Sequence, residues 1–203
     1  MNITRGIAIV SLTLSLLGGL GQPTLANPVG KNSTSREQTD CSGGRSEQFE
    51  LGGQVVNRRT FNLSDLQSFP AIEVNASFRT MQGQENRTYV GVPLWNLIQA
   101  AGGLRPNPDP TVRNNFLRQY IVIEATDCYQ IVLAVGEIQP NFEGKNVIVA
   151  YATKDDSSDD PQLLGDDLGF ARLIVPGDQA GGRNIFYIRR IQVLSAPDFR
   201  FKR

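Results

Sequence analysis

Three groups of residues in this 203-residue chain have types and spacing that could do chemistry. The first lies in FARLIVPGDQAGGRNIFYIRRIQV, residues 170–193, where an apolar run meets a glycine-rich turn and then a second apolar run. Backbone amides of Gly177, Gly181 and Gly182 could close around an oxyanion, because glycine lets the backbone approach and successive amides form a nest. Arg183, at the end of that turn, offers a guanidinium fork to phosphate or carboxylate. The same residues also read as the loop of a long hairpin with a solvated arginine, and spacing alone leaves both readings open.

The second group is Cys41 and Cys128, the chain's two cysteines. Asp127-Cys128-Tyr129 sits between two apolar runs, where Asp and a small residue make a turn. As a thiolate, Cys128 could be a nucleophile or a soft-metal ligand; the simpler reading is a small buried residue or half of a disulfide. In an oxidising compartment it could pair with Cys41, and the long intervening loop would make that bridge stabilising; otherwise both remain free thiols.

The third group is Asp155, Asp156, Asp159, Asp160, Asp166 and Asp167, a crowd of carboxylates that could collect calcium. It matches no EF-hand spacing and lacks a terminal Glu, so a solvated acidic loop is the better reading. Asn-x-Ser/Thr triplets begin at Asn2, Asn32, Asn62, Asn75 and Asn86, most of them expected by chance in a chain rich in Asn and Ser. Histidine is absent, which excludes Ser-His-Asp, Cys-His and HExxH chemistry. Twenty basic residues balance twenty acidic ones, so no net field draws the chain to nucleic acid, and no nucleic-acid partner is expected.

The elements that must hold these groups follow from periodicity. Residues 1–26 read as an export signal: Arg5, an uncharged apolar stretch from Ile7 to Leu20, then Thr24-Leu25-Ala26 as a cleavage site. The stretch is short for a membrane span, so no stable span is expected after cleavage, and the protein should be exported, periplasmic or secreted. Residues 27–47 carry too little apolar surface to offset ordering and read as a linker. The folded domain is expected over 48–197, with 198–203 as a tail.

Within the domain, Gln48 to Asn57 reads as one bent strand or two short ones around Gly52-Gly53. Ser64-Asp65-Leu66-Gln67 fits a capping box that opens a short helix ending before Pro70. Ile72, Val74, Ala76 and Phe78 alternate with polar residues as in a half-buried strand. In GVPLWNLIQAAGG, Pro93 starts a helix, Leu94, Leu97, Ile98 and Ala101 form its apolar stripe, and Gly102 stops it. QYIVIEA, YQIVLA and VIVAYA read as strands, some buried on both faces. Six to eight strands against two or three short helices, with no βαβ alternation, give an α+β class with a mixed, mainly antiparallel sheet.

In that order, the pieces FNLSDLQSFP, YVGVPLWNLIQAAG, VIEATDCYQIVLAVGEI, VIVAYA and FARLIVPGDQAGGRNIFYIRRIQV resemble the molybdopterin-binding domain of the sulfite-oxidase-like oxidoreductases, over roughly residues 58–195. The resemblance implies that family's fold, an α+β domain in which arginines, lysines and backbone amides grip the pterin phosphate. Arg172, Pro176, Gly177, Gly182 and Arg183 stand at the family's closing positions, and Ile185 fits its valine. Phe186 and Tyr187 replace a lysine and a tryptophan. Where the family has its metal-binding cysteine, this chain has Ser77, Phe78 and Arg79, and the family's Asp-Gly-Tyr turn is Asp127-Cys128-Tyr129.

The resemblance therefore implies an exported binding or accessory module, taking a pterin such as molybdopterin or another anionic ligand through Arg172, Arg183 and the turn at Gly177, Gly181 and Gly182. A redox or accessory protein is the partner such a module would have. No residue is assigned to catalysis or to a metal. The competing reading is an active molybdopterin-dependent oxidoreductase with unusual metal ligands, and a third is a structural domain that has lost every ligand.

Overall fold

The computed structural model describes residues 40–109, 112–155 and 160–197. The expected signal at 1–26, the linker as far as residue 39, the tail at 198–203, and Asp156 and Asp159 of the acidic stretch lie outside the described residues.

Along the chain the elements are β1 (Gln48–Gly53), β2 (Arg59–Asn62), α1 (Leu63–Gln67), β3 (Ile72–Thr80), β4 (Gly83–Pro93), α2 (Leu94–Ala100), β5 (Gln119–Ala125), β6 (Gln130–Ala134), α3 (Val135–Ile138), β7 (Ile148–Lys154), β8 (Gln162–Leu163), β9 (Arg172–Ile174) and β10 (Ile188–Ser195). The first sheet runs β2-β1-β10-β5-β6 and the second β3-β4-β7-β8, with β9 also on β7. Pairing is antiparallel except where β1 lies parallel to β10. The class is α+β, as expected.

One apolar cluster joins the sheets: Phe49 and Leu51 of β1, Ile121 and Ile123 of β5 and Ile191 and Val193 of β10 meet Val92, Val149 and Leu173 from the second sheet. Alternate residues of the second sheet, Val74, Ala76, Phe78, Tyr89, Ile148, Ala150 and Ile174, form a smaller core. Val149 faces one core and its neighbours Ile148 and Ala150 the other, which explains why β7 is a continuous apolar run rather than an alternating one. The helix stripe of Leu94, Leu97, Ile98 and Ala101 is fully buried in the main core. At Gly53 the backbone takes φ 83°, and a Cβ there would stand 2.1 Å from the Val193 carbonyl oxygen, so only glycine lets β1 close against β10.

Three expectations change. The helix α1 is capped by Asn62 and not Ser64: Asn62 Oδ1 accepts from the Asp65 amide at 2.9 Å, and Asp65 Oδ2 accepts from the Asn62 amide at 3.0 Å. Starting the helix there places Leu66 in the core, and the short Asp side chain completes the reciprocal box. The runs in residues 170–193 meet at one antiparallel bridge, Arg172 with Phe186, but do not continue as a hairpin, because β9 joins β7 in the second sheet whereas β10 lies between β1 and β5 in the first. The glycine turn is a crossing from one sheet to the other.

Residues 40–46, which composition assigns to a linker, are held to the domain. Cys41 and Cys128 form a disulfide. The Thr126 hydroxyl donates to the Gly44 carbonyl at 2.6 Å, and Arg189 Nη1 donates to the Asp40 carbonyl at 2.7 Å. Polar groups and one covalent bond do here what apolar burial does elsewhere, and so composition gives no sign of it. Among the described residues no helix is long and apolar enough to cross a membrane.

Candidate functional site

The β3-β4 hairpin, the sheet-crossing turn and the β5-β6 corner enclose an open groove of about 1280 Å³. Register sets what the hairpin offers. Ala76 pairs with Arg87, Phe78 with Glu85 and Val74 with Tyr89, so these six side chains share the face that carries the smaller core. Toward the hairpin tip that face turns polar, and Glu85 and Arg87 project at the groove while Tyr89 is buried. Arg79 also lines the groove but alternates with Phe78, on the hairpin's other face beside Ser77.

The crossing turn is stitched to β3. The Arg79 amide donates to the Gln179 carbonyl at 2.9 Å, and Arg79 forms a parallel bridge with Ala180. Gly181 then lies against the Phe78 ring, 3.1 Å from where its Cβ would be, so a side chain there would push the turn off the hairpin. From the third wall, the Tyr129 hydroxyl donates to the Gly182 carbonyl at 3.0 Å. Cys128, beside it, holds the left-handed φ of 66° that fits the tight β5-β6 corner.

The residues singled out in the sequence part company here. Arg172, Gly181 and Gly182 line the groove; Gly177 and Arg183 do not. Gly177 serves the turn through its φ of 86°. Arg183 points at carboxylates: Asp178 accepts from its Nε at 2.8 Å and its Nη2 at 2.6 Å, and Glu137 accepts from Nη1 at 3.2 Å. The hydrogen bonds it donates to Asp178 raise its pKa, fixing the guanidinium as a doubly paired cation.

Arg172 is also paired, but inside the groove. Its side chain is 5% exposed, and Nη1 donates to Glu85 Oε1 at 2.8 Å and to the Tyr89 hydroxyl oxygen at 2.5 Å. Nε donates to the Asn184 carbonyl at 3.2 Å, and the guanidinium lies 5.3 Å from the Phe78 ring centre and 5.4 Å from that of Tyr89. The Tyr89 hydroxyl in turn donates to Glu85. Burial alone would raise the Glu85 pKa, but the bonds from Tyr89 and Arg172, and the charges of Arg172 and Arg87, hold it below the ordinary value. Tyr89 moves the other way, raised first by burial and then by its bond to Glu85.

Glu85, Tyr89, Arg87 and Asn184 were not singled out by motif. The alternation of Glu85, Arg87 and Tyr89 is visible in the sequence, yet only the hairpin register shows that this polar set faces an arginine from β9.

The family that the sequence resembles would bring a molybdenum-bearing pterin, and the donor set here does not fit the metal. Molybdenum on such a cofactor takes a soft thiolate; both cysteines are tied in the disulfide. The Ser77 hydroxyl is engaged, donating to Asn86 Oδ1 at 2.6 Å and accepting from Gln84 Nε2 at 3.0 Å. Among the described residues no three of His, Cys, Asp or Glu gather where a metal ion could sit. What the groove does present is hydrogen-bond donors, arginines and carboxylates.

Fold and site together define an α+β domain of two five-stranded sheets whose groove is suited to a polar ligand and carries no thiolate. No family model matches the chain, and no curated protein does. Among solved structures it is similar to the sulfane dehydrogenase SoxCD from Paracoccus pantotrophus, with a TM-score of 0.56 and 21% identity over 72% of this chain and 37% of that one. The chain thus spans little more than a third of that structure's length. At this identity the likeness is one of fold alone.

Proposed function

We propose that the chain is an exported binding or accessory module on a sulfite-oxidase-like fold, holding a pterin or another organic anion in the groove without metal-centred redox turnover. The observation that carries this reading is the disulfide, which occupies the only two thiols. The groove, its arginines and the fold likeness support ligand binding, and fold by itself assigns no activity. The disulfide also supports work in an oxidising compartment.

The likeness to a dehydrogenase favours the second reading, an oxidoreductase with unusual metal ligands. Metal analysis of the mature protein, expressed in a host that makes the molybdenum cofactor, separates the two. The module should carry no molybdenum; one molybdenum per chain would overturn it.

A further inference from the structure

Charge balance in the groove narrows its ligand. Arg172 is neutralised by Glu85, and Arg183 faces away toward Asp178 and Glu137. Asp127 and Asp167 stand in the groove wall. On the face that carries the smaller core, Arg87 is the cation whose guanidinium meets no acceptor among the described residues, and its side chain is exposed. Arg79 occupies the opposite hairpin face, beside Ser77 rather than Glu85.

Two more donors belong to the same groove. Asn184 is 2% exposed and lines the groove. Its Oδ1 accepts from the Val175 amide at 2.6 Å, which fixes the carboxamide orientation and leaves Nδ2 with no acceptor. A buried N–H without an acceptor is costly, so a group that supplies one is favoured there. Arg172 Nη2 likewise has no acceptor among the described residues, whereas its Nε and Nη1 are both used. Across the groove, Tyr129 and Phe186 are 50% and 43% exposed, two aromatic surfaces in a space far larger than a simple ion.

Resting on the reading of the groove as an organic-anion site, we propose that its ligand is a flat aromatic molecule bearing one singly charged carboxylate. The carboxylate meets the Arg87 guanidinium and the free N–H groups of Arg172 and Asn184, and the ring lies against Tyr129 and Phe186. With Arg79 on the hairpin's other face, one uncompensated cation on the smaller-core face matches one negative charge. A phosphate monoester dianion would bring a second charge toward Asp127, Asp167 and Glu85, with no further cation on that face to balance it.

Three probes with a common ring system test this at pH 8: 2-naphthoate, 2-naphthyl phosphate and 2-naphthol, titrated calorimetrically into the full mature protein. Naphthoate should bind at least tenfold tighter than either of the others. Arg87→Gln, at an exposed position that leaves the fold intact, should weaken naphthoate at least tenfold and leave naphthol unchanged. Arg58→Gln, the same charge loss at a surface pair with Glu50 outside the groove, should change naphthoate binding less than threefold. Tighter binding of the phosphate, equal binding by Arg87→Gln, or no binding of naphthoate would each overturn the proposal. Those results concern the ligand's class; the metal content alone decides the wider reading, so the two can fail separately.

Discussion

An arginine with a 5% exposed side chain must find acceptors within the protein, and Arg172 finds Glu85, 87 positions earlier, as well as Tyr89 and the Asn184 carbonyl. The sequence marks Arg172 through its family position but says nothing of Glu85, because sheet register alone brings them together. Glu85 has its folded-state pKa lowered, so the native state favours the carboxylate. Its stabilisation is full above the unfolded carboxyl value, roughly 4.3, and is lost as pH falls through the lower folded value. Glu85→Gln leaves the buried Arg172 guanidinium without its carboxylate, so it should cost about 3 kcal/mol at pH 7 and flatten the loss of stability below about pH 4, as read by urea unfolding at a series of pH values. An unchanged acid limb would mean that Glu85 does not hold Arg172.

Elements were legible where the pattern is local. The alternation of Ile72 to Phe78 is β3, and the stripe of Leu94 to Ala101 is α2 with its following turn, because both depend on periodicities carried within a few residues. The crossing turn was not, since two apolar runs joined by glycines look alike whether they pair with each other or with strands elsewhere. The pinned segment 40–46 was hidden for a different reason, a polar stretch held by a single covalent bond. The Cys41–Cys128 bridge closes a loop of 87 residues, which in the chain-entropy model stabilises by about 4.6 kcal/mol. Replacing both cysteines with serine should lower the unfolding free energy by that order and open residues 40–46 to proteolysis. Thermal melts and limited digestion check this, and resistance equal to the parent chain would show that the hydrogen bonds of Thr126 and Arg189 suffice.

At the scale of the molecule, the α+β class was readable, but ten strands are described where six to eight were expected, and β4, whose first half reads as a polar turn, was not foreseen. The division into two sheets was not readable, because it depends on which edges the chain's last strand finds. That strand, β10, is the centre of the first sheet, with β1 on one side and β5 on the other. A ribosome making this chain delivers that centre after the sheet's other strands: β1 and β5 stand one strand apart, their facing ladder groups unpaired, until residue 195 has emerged. A chain ending at Tyr187 should show no cooperative melt by circular dichroism, while one ending at Pro197 should melt as a single unit. Without β10 the first sheet is two separate hairpins, β1 with β2 and β5 with β6, and one strand converts them into a single surface.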